Sequence, residues 1–333
     1  MKISEIIDRR TPDWRQLEKD LTWIKSRRAS RLDPERLAAF ARRYRSACSD
    51  LALALALKFP ETTTEYLHKL VGQAHTQLYR SESFHVGAWL RSLFVDIPGQ
   101  ILRDPCVWIA LFTFWSLFLG AMIAAYLRPE FAVAVAGEAK LASIEKMYAT
   151  PLWEQIGAES EGFASSRAEA TGGYVFHNAG IGLKCFTSGI FLGVGSLITL
   201  AFNAILLGTV FGYMFQSTSQ VNFSEFVTAH GPFELTAIVL SAGAGLRLGW
   251  SLIDTQGWGR AESLRRSAPR ALQTAGVATI LFIFAAYIEG FISPSALPYE
   301  SKAAVAVITT ILLLLYFFVL GNWNRRRRTH ALR

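Results

Sequence analysis

Apolar positions follow two patterns along this chain. Over the first hundred residues they recur at helical spacing between charged residues, and beyond Pro105 they merge into uncharged runs interrupted by single polar residues. Trp14, Leu17, Leu21 and Ile24 fall on one helical face. Thr11-Pro12-Asp13 ahead of them reads as that helix's start, because Pro is tolerated in a first turn. A second helix is predicted after Asp33-Pro34-Glu35, carrying Leu37, Phe40, Tyr44, Cys48, Leu51 and Leu55 and stopping near Pro60. A third, over 63–80, aligns Leu67, Leu70, Val71, Ala74 and Leu78. Three such helices can bury one another's stripes as a cytoplasmic helical domain over residues 1–83. His68, His75 and His85 lack an acidic or Cys companion in register and are read as solvated or packing residues. Residues 84–104 mix aromatics with Arg91 and Arg103. That suits an amphipathic segment lying in the headgroup plane, with a fourth bundle helix as the alternative.

From 105 to 322 the runs are long enough for membrane helices, since about 20 apolar residues cross the hydrocarbon. Residues 106–127 carry no charge, and five further candidates follow at about 175–195, 197–215, 232–253, 270–292 and 303–321. The second and third are contiguous apolar sequence broken only near Gly193-Val194-Gly195-Ser196, where a tight reversal is expected. The fold class is therefore all-α: a polytopic membrane protein of about six transmembrane helices behind an N-terminal soluble bundle. Between the first two spans, 128–173 holds an apolar stretch (131–136) and a short amphipathic helix ending near Pro151. An acidic, small-residue remainder up to Gly173 reads as a surface loop.

Charge orients this arrangement. The chain of 333 residues has a net charge of +8, and 1–104 holds 18 Lys/Arg against 13 Asp/Glu. Segment 128–173 carries 4 basic and 7 acidic residues, whereas 253–270 carries Arg260, Arg265, Arg266 and Arg270 against two acids. Positive-inside logic puts the N-terminal domain, the 253–270 loop and the basic tail 323–333 in the cytoplasm, and 128–173 outside. Six spans satisfy this, since both termini end on one side. Arg325, Arg326, Arg327 and Arg328 beside Trp323 read as a topology determinant at the membrane interface. Basic residues alternate with acids in the N-terminal part, which argues against nucleic acid as a partner. Three scattered cysteines give no disulfide or CxxC framework, and no apolar leader is visible over 1–20.

The polar intrusions then fall on one membrane level. On this topology His177 and Asn178, His230 and Glu234, and Glu289 all lie near outer helix ends. Lys184 is seven residues beyond His177 on the same face, about 10 Å deeper, with Glu234 or Glu289 as counter-ion. Glu234 aligns with Ala237, Ser241, Gly245 and Gly249, and Glu289 with Ala285, Ala286, Ala278 and Ala275, so both carboxylates are expected inside the bundle. Gly189/Gly193, Gly208/Gly212 and Gly245/Gly249 are three GxxxG spacings that predict close helix packing. Arg247 is expected to snorkel to the cytoplasmic headgroups. Three readings of the cluster stay open: a buried network fixing helix register, an ion or proton path, or a metal site on His230 and Glu234 with His177. No HExxH, Ser/His/Asp set, P-loop or dinucleotide fingerprint is present, so neither a catalytic residue nor a cofactor is assigned.

The order His177-Asn178, Phe186-x-x-Gly189-x-x-x-Gly193, Asn203, Gly208, His230-Gly231-x-x-Glu234-Leu235, the Gly243-rich run and Ala286-x-x-Glu289-Gly290 resembles the stage II sporulation protein M family of integral membrane proteins. Ala204 departs from the Gly expected after the Asn. The resemblance covers about 105–322 and implies a multi-pass protein of the inner or cell membrane. In spore formers the family member holds peptidoglycan-degrading enzymes at the engulfing membrane without being the hydrolase. What it implies here is a non-enzymatic subunit that scaffolds or recruits other membrane or envelope proteins, with a homo-oligomer also open. The alternative is a transporter or channel-like protein using the polar cluster.

Overall fold

The computed structural model describes residues 3–25, 33–78, 86–156 and 163–322, and the described residues contain helices and turns but no strand. The basic tail, with Trp323 and Arg325 to Arg328, lies outside them. The chain divides into two compact units, 1–85 and 86–333.

The first unit is a three-helix bundle: α1 (Ile3–Lys25), α2 (Pro34–Ala56) and α3 (Glu61–Leu78). Its core is the stripe set of the sequence, with Trp14, Leu17, Leu21, Phe40, Leu67 and Leu70 buried. Asp33 caps α2 by accepting from the Glu35 amide at 3.2 Å, with Pro34 in the first turn. Two expectations shift. α1 begins at Ile3 and carries Pro12 inside it, because Ile6 and Ile7 pack on the core and outweigh the lost backbone bond. Leu55 is exposed and Ala54 takes its core position. Asp50 ties α2 to α1, accepting from Arg10 Nη2 and Trp14 Nε1 at 2.8 Å each.

The second unit opens with α4 (Val86–Val95) and α5 (Ile97–Leu102). Ile97 and Ile101 are buried in the large apolar core of this unit, and the Tyr316 hydroxyl donates to the Leu93 carbonyl at 2.9 Å. Among the described residues, five helices are long and apolar enough to cross a membrane: α6 (Pro105–Leu127), α11 (Val194–Met214), α12 (Gln220–Ile253), α13 (Arg260–Phe291) and the last helix, Tyr299–Leu320. The last is α-helical to Leu314 (α14) and a π-turn beyond. Phe112, Ile198, Phe202 and Val307 are exposed on their outer faces, as a lipid-facing surface requires.

The region read as the second span belongs to α10 (Phe163–Thr187), whose first turns carry Arg167 and Glu169. It is not among the five apolar helices. The acidic stretch before Gly173, read as a loop, is helical from Phe163 onward. α10 ends in a short 3-10 turn, and Leu192 and Gly193 take φ of 54° and 80° before α11 starts. This is the expected reversal, and Gly193 supplies the left-handed residue it needs. α12 and α13 also run longer than their apolar runs, with Pro232 and Pro269 inside them. Proline is tolerated within membrane helices where neighbours take up the freed backbone groups.

Small residues set the helix spacing. A Cβ on Gly189 would overlap the Gly245 carbonyl, and one on Gly249 would overlap the Gly193 amide. The α10–α11 turn and α12 therefore meet backbone to backbone. Gly208 and Gly212 sit against the Phe118 and Met122 carbonyls of α6 in the same way. The three glycine pairs thus serve two interfaces.

Between α6 and α10, three short helices form a cap: α7 (Pro129–Ala136), α8 (Glu138–Met147) and α9 (Leu152–Ile156). Glu145 accepts from the Ser217 and Tyr213 hydroxyls. The Ser219 hydroxyl donates to the Glu145 carbonyl at 3.1 Å, and Asn222 Nδ2 to the Tyr148 carbonyl at 2.9 Å. Tyr148 is buried against Phe223 and Phe226. The cap is therefore bonded and packed onto the α11–α12 connection.

Candidate functional site

The polar cluster forms where α10, α12 and α13 meet. On α12, His230 and Glu234 stand one turn apart, so both project to one side. His230 Nε2 lies 3.5 Å from Glu234 Oε2. Glu289, near the end of α13, completes a set whose ligand atoms all lie within 4.8 Å of one another. Two further bonds fix this set. His230 Nδ1 is 2.9 Å from the Ser293 hydroxyl, just past α13, and Asn178 Nδ2 of α10 donates to Glu289 Oε2 at 3.1 Å. His230, Asn178, Ser293 and Glu289 are buried.

Local sequence explains the convergence. Asn178, Gly182 and Cys185 form the buried stripe of α10, continued by Gly189 in the turn that follows, and Gly182 lets Phe282 of α13 approach. Gly290 likewise faces Thr171 at a distance that a Cβ would close. The small face of α13 carries Glu289 inward: Ala278, Ala285 and Ala286 are buried as expected, and Ala275 is half-buried. Phe226 packs edge-on against the His230 ring at 5.4 Å between centroids.

His230, Glu234, Glu289, Asn178 and His177 all line one cavity of about 1110 Å³. Its other walls are largely apolar, including Trp108, Trp115, Leu207 and Phe317, and Tyr148 and Lys140 of the cap also reach it. Burial, together with Tyr174 and the charges of Glu289 and Glu234, holds the Tyr148 phenol well above its ordinary value.

Lys184 departs from expectation. It shares an exposed face of α10 with His177, as their spacing requires, and has no ion-pair partner among the described residues. The counter-ion reading of Lys184 is thereby overturned: the buried face of α10 is the Asn178 stripe, about a quarter-turn away. Arg247 is also corrected. Its guanidinium pairs with Asp104, which is buried and caps α6 by accepting from the Cys106 amide at 3.0 Å. The side chain is held between α12 and α6 and does not snorkel. Sequence reasoning missed a second buried pair, Lys302 Nζ of α14 at 3.9 Å from Glu225 Oε2 of α12, with Lys302 only 2% exposed. Its signal was a lone Lys heading an apolar run.

Fold and cluster together define a multi-pass α-helical membrane protein with a polar centre enclosed by small-residue helix contacts. The chain belongs to the stage II sporulation protein M family, whose model matches residues 109–294 and so takes in Asn178, His230, Glu234 and Glu289. Residues 4–80, the N-terminal bundle, match a domain of unknown function, DUF8413. No curated protein and no solved structure matches the chain.

Proposed function

We propose that this chain is a non-enzymatic membrane subunit that holds partner proteins at the cell membrane, within an envelope-remodelling complex of the kind its family implies. The observation that carries this reading is the cap. Helices α7–α9 are fixed to the α11–α12 connection through Glu145, Tyr148 and Asn222, so they offer a partner a preformed surface that pays little ordering cost on docking. The separate N-terminal bundle supplies a second candidate docking unit. Loop charge supports termini on the cytoplasmic side and the cap outside, with α10 counted as a sixth membrane-embedded helix. Crosslinking in native membranes followed by affinity purification tests the proposal. Defined partners are expected, and an empty capture at both the cap and the bundle would refute it.

A second reading has its own support. Glu234 and Glu289 face a cavity of about 1110 Å³, which suits an ion path. It requires ion- or pH-dependent flux in liposomes that Glu234→Gln or Glu289→Gln abolishes. Flux that survives both substitutions excludes it.

A further inference from the structure

We propose that His230, Glu234 and Glu289 bind a single divalent transition-metal ion, of the zinc or manganese type, at the junction of α12 and α13. Three observations carry this. The first is geometric. One nitrogen and two carboxylate ligands lie within 4.8 Å of one another, and the His230 Nε2–Glu234 Oε2 separation is 3.5 Å. Bonds of about 2.0–2.2 Å to a tetrahedral ion place ligand atoms roughly 3.4 Å apart. That pair already has the spacing, and rotation of the Glu289 carboxylate closes the rest.

The second is the support around the ligands. A metal-binding histidine is oriented by a hydrogen bond to its other ring nitrogen, and ligating carboxylates are themselves hydrogen-bonded. Here Ser293 engages His230 Nδ1 at 2.9 Å, which directs Nε2 toward the carboxylates. Asn178 engages Glu289 Oε2 at 3.1 Å. Both partners are buried and come from outside α12, so the ligands are positioned by tertiary structure and not by helical spacing alone.

The third is charge. Two carboxylates share one buried site in a membrane domain, and no Lys or Arg among the described residues forms an ion pair with either. Lys302 is committed to Glu225, and Lys184 faces outward. Buried like charges are costly unless protons or a cation neutralise them, and a divalent ion offsets both carboxylates at once. An imidazole with two carboxylates selects zinc, manganese or iron over magnesium or calcium. The ligands line the cavity, so a metal held there keeps a face open to it, and it also ties α12 to α13.

The test uses the full chain in detergent, stripped with chelator and titrated with Zn²⁺, Mn²⁺ and Mg²⁺ in turn. The expected result is one Zn²⁺ or Mn²⁺ per chain, weaker Mg²⁺ binding, and a rise in melting temperature on saturation. Glu234→Gln and Glu289→Gln are expected to weaken zinc binding by at least about a hundredfold and to abolish the thermal shift. Asn178→Ala and Ser293→Ala keep every ligand and are expected to weaken it about 10–100-fold, while Lys184→Gln leaves it unchanged. Folded wild-type protein that binds neither ion at micromolar concentration overturns the proposal, as does binding unaffected by the Glu substitutions. If those variants fail to fold, unchanged affinity in both Asn178→Ala and Ser293→Ala overturns it instead.

Discussion

Gly249→Ala is the most informative single test of the packing. A Cβ at this position falls on the Gly193 amide nitrogen and within contact of the Gly193 Cα and the Gly189 carbonyl. All three are backbone atoms. The Gly193 amide is already bonded to the Gly189 carbonyl at 2.8 Å, in a turn whose φ of 80° leaves it little freedom. No rotamer can clear the methyl group, so α12 and the turn must separate by about 1.7 Å to restore van der Waals contact near 3.5 Å. Overpacking costs about 1–3 kcal/mol, and a clash with backbone on both sides belongs at the upper end. The helix-propensity gain of Ala over Gly, up to about 1 kcal/mol, offsets part of it. The net expectation is a loss of about 2 kcal/mol, or roughly 4–8 °C in melting temperature for a unit of this size. Thermal unfolding of detergent-purified protein, followed by size-exclusion recovery, reads it. Gly276→Ala is the control, because a Cβ there meets nothing within 4 Å, and it should match or exceed wild type. A Gly249→Ala protein melting at or above wild type would refute the reasoning.

Three further outcomes are expected. Asp104→Asn keeps a capping oxygen for α6 but strands the Arg247 guanidinium, at a cost of about 1–3 kcal/mol; adding Arg247→Gln should recover part of it in a double-mutant cycle of melting temperatures. Asp50→Ala leaves the Trp14 indole without its acceptor and Arg10 with only Asp13 and Ser46, and should loosen the N-terminal bundle by about 1–3 kcal/mol, read as faster amide exchange in α1 and α2. Tyr148 gives an alkaline prediction. Its phenol is raised in the folded protein, so the folded state holds a proton that the unfolded state releases above pH of about 10. Its contribution is complete below that pH and falls by about 1.4 kcal/mol per unit as pH rises toward the folded value. Tyr148→Phe should flatten the decline in melting temperature between pH 9 and 11, and an unchanged slope would count against burial of that hydroxyl.

Much of this architecture is written in local pattern. The Asp33-Pro34 cap, the Leu67-Leu70-Ala74 stripe and the Gly193 reversal each follow from forces acting within one or two turns. The inward placement of Glu234 and Glu289 was legible from the small residues in register with them. Other features depended on contacts that spacing does not encode. Pro12 reads as a helix start, yet packing carries α1 through it, and α12 and α13 likewise run on through Pro232 and Pro269. For Lys184 the shared face with His177 was right, but the choice of which face is buried was made on charge. The Asn178-Gly182-Cys185-Gly189 stripe of small and weakly polar residues held the answer. His230 with Glu234 suggested a metal pair, and the third group sits on α13, fifty-five positions after Glu234, where only tertiary structure brings it in. The Asp104–Arg247 and Lys302–Glu225 pairs are equally long-range.

The role proposed for the cap is that of a preformed docking surface for a partner. It is tested most directly by site-specific photo-crosslinking in native membranes, with the photoreactive side chain placed at Ala142 or Lys146, both on the exposed side of α8. A discrete protein adduct is expected in the wild-type background. That adduct should be lost with Glu145→Ala, which removes the side-chain bonds of the cap to Ser217 and Tyr213, while chain abundance is retained. No adduct above membrane background, or an adduct indifferent to Glu145→Ala, would contradict it.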